Sequence, residues 1–336
     1  MPLPLLGPSR LSSDRLRQRV QERPARLHQL ALLTAAVTFL LVIAGGLVWA
    51  TESALACPDW PLCHGQAFPH LAGRVLFEVS HRYVAGTVSV LAGLLAGLSF
   101  RFGGKVRAAS LVAFALVLAQ AVLGGLTVLL RLPLVVRVAH LATSQAFFAA
   151  VLWTVFATRE PRPFERSVPR GARALAGIAA LAVYAQLLLG AFVRHTGAAL
   201  ACNASVFTCF GAVWPAPQDG YGAFGPAQMV TLHKGFALVV GALVLAATAR
   251  TLSRAPAGSL ARKLAWAAGG LVVAQILLGA ASVLSYLAIS LVTAHLATGS
   301  LLFASVLSLW FALAEVTAPA AAAAPAAAAI RHAEAL

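Results

Sequence analysis

The sequence predicts an all-α integral membrane protein, with eight transmembrane helices arranged as two tandem four-helix bundles repeated in parallel orientation. Three observations predict it. The 336 residues are 60% apolar and only 10% charged, with a mean hydropathy of +0.85, which leaves too little polar surface for a water-exposed globule. Charge-free runs of membrane-spanning length recur along the chain. The second half also repeats the pattern of the first at fixed offsets.

A spanning helix needs roughly 20 predominantly apolar residues. The run 28–51 supplies the first, after a basic tail over 1–29. Segments 75–101, 108–130 and 138–158 complete an N-terminal half over 30–158. A basic linker over 159–173 leads to a C-terminal half over 174–315, with spans at 174–193 and 227–249. The charge-free stretch 264–314 is long enough for two helices, turning near Ser285, Tyr286 and Ser290. The tail 316–336 is nearly all alanine, with Pro319 and Pro325, and is read as low complexity without a catalytic role. Nothing in this division leaves room for a large soluble domain. The first apolar run is not read as a secretory signal: it is too long, and Thr51 and Glu52 separate it from the small residues Ala54-Leu55-Ala56.

Charge sets the orientation, because short loops rich in Lys and Arg stay cytoplasmic. Six arginines precede the first span; Arg101, Lys105 and Arg107 follow the second, and Arg159, Arg162, Arg166, Arg170 and Arg173 follow the fourth. Arg250, Arg254, Arg262 and Lys263 follow the sixth, and Arg331 lies in the tail, which places 19 of the 25 basic residues on one side. Both termini are therefore expected in the cytoplasm. The net charge of +15 then reads as topology and attraction to anionic lipid rather than nucleic-acid binding, since no basic run carries interleaved aromatics.

Two blocks carry the repeat. Ala119–Ala149 and Ala274–Ala304 share 14 of 31 residues, including Ala119-Gln120 with Ala274-Gln275 and Ala139-His140-Leu141-Ala142-Thr143 with Ala294-His295-Leu296-Ala297-Thr298. Gly45, Val48, Thr51 and Ala54-Leu55-Ala56-Cys57 recur as Gly190, Val193, Thr196 and Ala199-Leu200-Ala201-Cys202. Four helices per half is an even number, so both halves enter the membrane the same way. His81 and His140 in the first half correspond to His233 and His295 in the second, each near the outer end of an even-numbered helix. Histidine within a span is costly and marks function. Paired imidazoles at equal depth on facing helices suit axial ligation of a haem iron, and bundles hold cofactors between such helices. His28, His64, His70, His195 and His332 do not recur and read as solvated or interfacial, with His195 kept as a group behind the first set of ligands.

One residue breaks the symmetry. Glu78 lies three residues before His81 and shares its helix face, whereas its counterpart is Val230. Chemistry performed once needs such a group once; the competing reading is an interfacial partner for Arg82 or Arg74. Arg82 and Lys234 directly follow the two repeat-related histidines, and Arg131 and Arg137 sit on the outer side against the positive-inside trend. All four are candidates for binding porphyrin propionates, with snorkelling the alternative for the last two. Cys57 and Cys63 fall in the first outer loop, Cys202 and Cys209 in the equivalent loop. Four cysteines allow three connectivities, of which pairing within each loop is the simplest, and the spacings do not fit CxxC zinc clamps.

These residues resemble the haem A synthase family from about residue 30 to 315. The resemblance rests on Cys57-Pro58-Asp59-Trp60-Pro61-Leu62-Cys63-His64-Gly65, on Glu78 with His81-Arg82, and on the His140, His233 and His295 segments. It implies an enzyme of the cell inner membrane that oxidises the C8 methyl of haem O, through a hydroxymethyl stage, to the formyl of haem A for a terminal oxidase. It implies that His81 and His140 line the haem O site with Glu78 as the essential carboxylate, while His233 and His295 ligate a resident haem b. A haem O synthase and oxidase assembly factors are then candidate partners, and self-association is left open. The loop Cys202-Asn203-Ala204-Ser205-Val206-Phe207-Thr208-Cys209 departs from the family pattern. Two rivals stand beside this reading. One is a bis-histidine cytochrome b that only passes electrons, which has no need of Glu78. The other is a transporter, disfavoured because the polar residues cluster at the outer ends rather than the midplane.

Overall fold

The computed structural model describes residues 9–159, 170–218, 220 and 222–316. Its helices are α1 (Ser9–Ala50), α2 (Gly73–Ser99), α3 (Gly104–Leu129), α4 (Leu134–Thr158), α5 (Arg170–His195), α6 (Pro226–Leu252), α7 (Leu260–Leu284) and α8 (Ile289–Val316). All eight contain a stretch long and apolar enough to cross a membrane, the first being Ala25–Ala50. The chain is a multi-pass membrane protein.

Two features differ from the sequence reading. The basic segment read as a tail is helical from Ser9 and continuous with the first span, although Pro24 lies within the helix. A short strand, β1 (Ala201–Ala204), follows a single 3-10 turn in the loop between α5 and α6, so the described fold is helical with one small extended element. Most of the linker 159–173, the start of the basic tail and nearly all of the alanine-rich tail lie outside the described residues.

Within the first half, α1 packs on α2, α2 on α3, α3 on α4 and α4 back on α1; α5 to α8 have the same neighbours in the same order. Several buried core positions of the two halves correspond. Val88, Ala113, Val117, Phe147 and Val151 fill the first, and their repeat counterparts Val240, Ala268, Val272, Leu302 and Val306 fill the second. The alanines of the two cores, Ala92, Ala113 and Ala150 in the first and Ala179, Ala180, Ala247 and Ala268 in the second, let the backbones approach where lipid gives no hydrophobic drive for helices to associate. The halves meet where α8 packs on α1 and α4, and where α4 meets α5. In α8, 50% of the most apolar window is buried, against 33% at most elsewhere, so α8 is the central helix. Gln145 on α4 donates from Nε2 to Ser300 Oγ on α8 at 3.1 Å, and these two are themselves repeat-related positions.

The turns repeat as well. Arg131-Leu132 and Tyr286-Leu287 are left-handed pairs, and the second residue of each donates its N–H five residues back, Leu132 to Thr127 and Leu287 to Ser282, at 2.8 Å. This bonding caps the orphan carbonyls of α3 and α7 without glycine. Elsewhere Ser259 Oγ accepts from the Arg262 N–H to start α7, while Arg262 Nη1 returns to the Leu252 and Ala255 carbonyls after α6.

Candidate functional site

Helix order places the four histidines. His81 lies on α2 and His140 on α4, diagonal corners of the first bundle. His233 on α6 and His295 on α8 have the same relation in the second. Each ring leans on a glycine of the adjacent helix. A Cβ at Gly45 would come within 3.1 Å of His81 Cε1, at Gly124 within 3.3 Å of His140 Cε1, and at Gly190 and Gly279 within 3.0 Å of His233 and His295 Cε1. At each of these points a Cβ would press on the imidazole more tightly than an ordinary side-chain contact.

The ring nitrogens differ between halves. Nδ1 of His81, His140 and His295 is buried without a hydrogen-bond partner. His233 Nδ1 instead lies 3.1 Å from Gln186 Nε2, which also donates to the His233 carbonyl at 2.9 Å. Gln186 stands where the repeat has Leu41. Gln275 Nε2 lies 3.4 Å from His295 Nε2.

The Glu78 carboxylate is 4% exposed and faces the first outer loop. Oε2 accepts the Cys57 N–H at 2.8 Å, and Oε1 accepts from Arg82 Nη2 at 2.6 Å. Arg82 also donates to the carbonyls of Cys57 at 3.3 Å, Asp59 at 2.9 Å, Pro61 at 3.4 Å, and Leu62 at 2.5 Å. Lys234 plays a matching part, its Nζ donating to the Ser205 carbonyl at 2.7 Å. Both cations that follow the repeat-related histidines are thus engaged with outer loops. Disulfides join Cys57 to Cys63 and Cys202 to Cys209, and each second cysteine forms a small antiparallel bridge, with Gln66 and Ala212 respectively. In the first loop Asp59 accepts the His64 and Gly65 N–H groups at 2.7 Å each. The Gly65 N–H, aided by that of His64, holds the Asp59 carboxyl below its ordinary value against the opposing effect of desolvation.

Arg131 is exposed on the α3–α4 turn. The Arg137 guanidinium carbon lies 5.0 Å from the centre of the Trp49 ring, and His195 meets the same ring edge-on at 4.6 Å. Arg74 pairs with Glu52 at the surface, 3.4 Å apart. His28 Nδ1 lies 3.1 Å from Thr158 Oγ1, His64 Nε2 lies 3.0 Å from the Ala56 carbonyl, His70 is exposed, and His332 lies outside the described residues. An apolar cavity of about 500 Å³ lined by Ala149, Tyr184, Phe303 and Trp310 contains none of the histidines.

Sequence reasoning missed the ring-bearing glycines, Gln186 and Arg194. The first had a signal, since Gly45 with Gly190 and Gly124 with Gly279 are retained across the repeat; the other two do not recur.

The donor set itself tests for a haem. Among the described residues no three His, Cys, Asp or Glu side chains converge, so a bare metal ion would lack the ligands it needs. Haem iron takes its equatorial ligands from the macrocycle and one or two axial groups from the protein, for which an imidazole pair is a complete set. The residues fit that group.

Fold and site together define an eight-helix membrane protein with a histidine pair in each four-helix half. The family model for a cytochrome oxidase assembly protein matches residues 28–75 and 71–307. Heme A synthase of Shouchella clausii is 31% identical over 269 residues, covering 77% of this chain and 87% of that protein. Heme A synthase of Staphylococcus saprophyticus is 28% identical over 287 residues, covering 82% and 92%. The match to Heme A synthase of Bacillus pumilus, 32% identical, covers 54% of this chain and spans 62% of that relative's length. The chain belongs to the cytochrome oxidase assembly protein family and is similar over most of its length to two of these haem A synthases.

Proposed function

We propose that the chain is a haem A synthase of the cell inner membrane, with both termini in the cytoplasm and the histidines toward the outer face. It oxidises the C8 methyl of haem O through a hydroxymethyl stage to a formyl group, supplying haem A for a terminal oxidase. The observation that carries this reading is the single carboxylate. Histidine pairs, glycine supports, stapled loops and core all recur, while Glu78 faces Val230 across the repeat, so one half has a group for chemistry that the other lacks.

In this reading His81 and His140 hold the substrate haem O, and their glycine supports fix where its ring lies. His233 and His295 hold haem b, which supplies a one-electron couple when bound. Glu78 stabilises positive charge developing at the methyl carbon or takes its proton. A carboxylate offers about four acceptor positions and the two bonds to Cys57 and Arg82 use only part of them, so capacity remains.

The bonding of both Glu78 oxygens favours a specific second reading, in which Glu78 only anchors the loop and the chain is an electron-transferring cytochrome b. One experiment separates them. Cells making haem O, with and without this chain, are extracted and their non-covalent haems identified by chromatography with mass detection. Haem A or its hydroxylated precursor is expected only with the chain present, and Glu78→Gln should cut it by about 100-fold or more, the span of a lost acid–base group, while haem b stays bound. Haem B alone, with haem O demonstrably available, would establish the second reading.

A further inference from the structure

We infer that Arg137, Arg194 and His195 form a carboxylate-binding site in the outer seam between the two halves, which takes porphyrin propionates from the adjoining histidine pockets. The inference rests on the reading that those pockets hold porphyrins.

The residues come together from both halves. Arg137 is on the first turn of α4, three residues before His140, and Arg194 and His195 end α5, which packs on α4. Arg137 and His195 share the Trp49 ring at the end of α1. Arg194 Nη2 crosses to the first half and donates to the Gly46 carbonyl at 3.1 Å. There the backbone of α1 is so close to α8 that a Cβ on Gly46 would lie 2.7 Å from Leu296 Cδ2. Arg137 shares a helix turn with His140, and the Gly46 position that Arg194 reaches lies against Leu296, the residue next to His295. The cluster therefore stands between one histidine of each pocket.

Its donors exceed its acceptors. Arg137 Nε and His195 Nδ1 are buried with no hydrogen-bond partner, and so is Thr293 Oγ1, whose methyl flanks the Gly46 position. Three carboxylates have described side chains on the outer side, and all are committed: Glu52 to Arg74, Asp59 to the His64 and Gly65 amides, and Glu78 to Cys57 and Arg82. Arg137 and Arg194 are both partly buried with no described carboxylate free to pair with them, and a bound anion offsets the cost of holding two cations together there. Arginine's planar fork matches a carboxylate in two parallel bonds. Arg82 and Lys234, the cations adjacent in sequence to His81 and His233, are instead engaged with loop carbonyls. A site shared by both pockets also explains why these groups do not recur. Arg137 faces Val292 in the repeat and Arg194 faces Trp49, as expected for groups near an axis where one set serves both sides.

The test uses the full chain purified from haem-deficient cells in non-ionic detergent and titrated, with absorbance readout, with protohaem or its propionate dimethyl ester. Wild type should bind the free acid on the order of 10-fold or more tighter than the ester, the range for a charge-assisted hydrogen bond. Arg194→Gln and Arg137→Gln should each remove most of that difference while leaving ester affinity unchanged, and Arg194→Lys should restore part of it. Equal wild-type affinity for acid and ester would overturn the site alone and leave the haem reading standing. Variants that weaken acid and ester alike would likewise overturn it, showing a packing role. Failure of wild type to bind either porphyrin would overturn both this site and the function on which it rests.

Discussion

Glycine to alanine inside a helix ordinarily stabilises it by about 1 kcal/mol, because alanine loses less backbone entropy on folding. Gly45, Gly124, Gly190 and Gly279 reverse that expectation, since each faces an imidazole carbon at 3.0–3.3 Å from where Cβ would sit. Ring and helix must part, and overpacking of this kind costs about 1–3 kcal/mol. The net result is destabilisation of up to about 2 kcal/mol together with a displaced imidazole. Gly190→Ala and Gly279→Ala should therefore lower the melting temperature in detergent and, on the proposed function, alter the spectrum of the haem that the second half binds. Gly124→Ala, with the longest approach at 3.3 Å, should be the mildest of the four. A Gly190→Ala protein that melts higher with an unchanged spectrum would show that the contact relaxes freely and does not place the ring. Gln186, beside His233 Nδ1, is a second control on the same ring, and its absence from the first half makes the pockets chemically unequal as well as unequal in carboxylate.

At the scale of elements, the outer loops are small folded units whose polar contacts are internal. In the first, Asp59 ties the chain after Cys63 back to the motif that precedes it. Because the Gly65 N–H favours the ionised form, Asp59 has a lower pKa in the folded loop than when unfolded. Its contribution is therefore complete above the unfolded carboxylate value and is lost as pH falls through the lower folded value. Hydrogen exchange at the His64 and Gly65 amides, corrected for intrinsic rates, should show protection that holds at neutral pH and disappears only below the ordinary carboxylate range. Asp59→Asn should lack that acid transition, and an unchanged profile would mean that the disulfide alone orders the loop. Much of this scale is legible in sequence. Charge-free runs, the repeat and the cysteine spacing give eight helices and two stapled loops, because burial in lipid and chain reversal write local patterns. The left-handed pairs Arg131-Leu132 and Tyr286-Leu287 are not legible, since neither contains glycine. The destination of Glu78 and Arg82 was open for another reason. Helix periodicity puts residues on a face, but which loop atoms fold back onto that face depends on tertiary contact.

For the whole molecule, the decisive question is what holds one half to the other, because lipid gives no hydrophobic drive for helices to associate. The seam answers with small residues and a few polar links. Gly46 lets α1 approach α8, Arg194 bonds across at its outer end, and Gln145 meets Ser300 in its interior with both residues fully buried. Equivalent positions can touch only where they straddle the line relating the two halves, so the Gln145–Ser300 bond marks that line. Arg194 was missed in the sequence because the repeat highlights what is duplicated, whereas groups at a shared seam need be present only once. The interior link can be weighed by a double-mutant cycle on thermal stability in detergent, with Ser300→Ala, Gln145→Leu and the pair. Polar links between membrane helices average about 0.6 kcal/mol and reach about 1.7 kcal/mol. Ser300→Ala alone should cost the most, since it strands a buried amide whose Oε1 already lacks a partner. Adding Gln145→Leu should recover part of that loss by removing the stranded group. Strict additivity would mean that the two residues do not feel each other, and that the halves are held by close packing around Gly46 and by the outer seam alone.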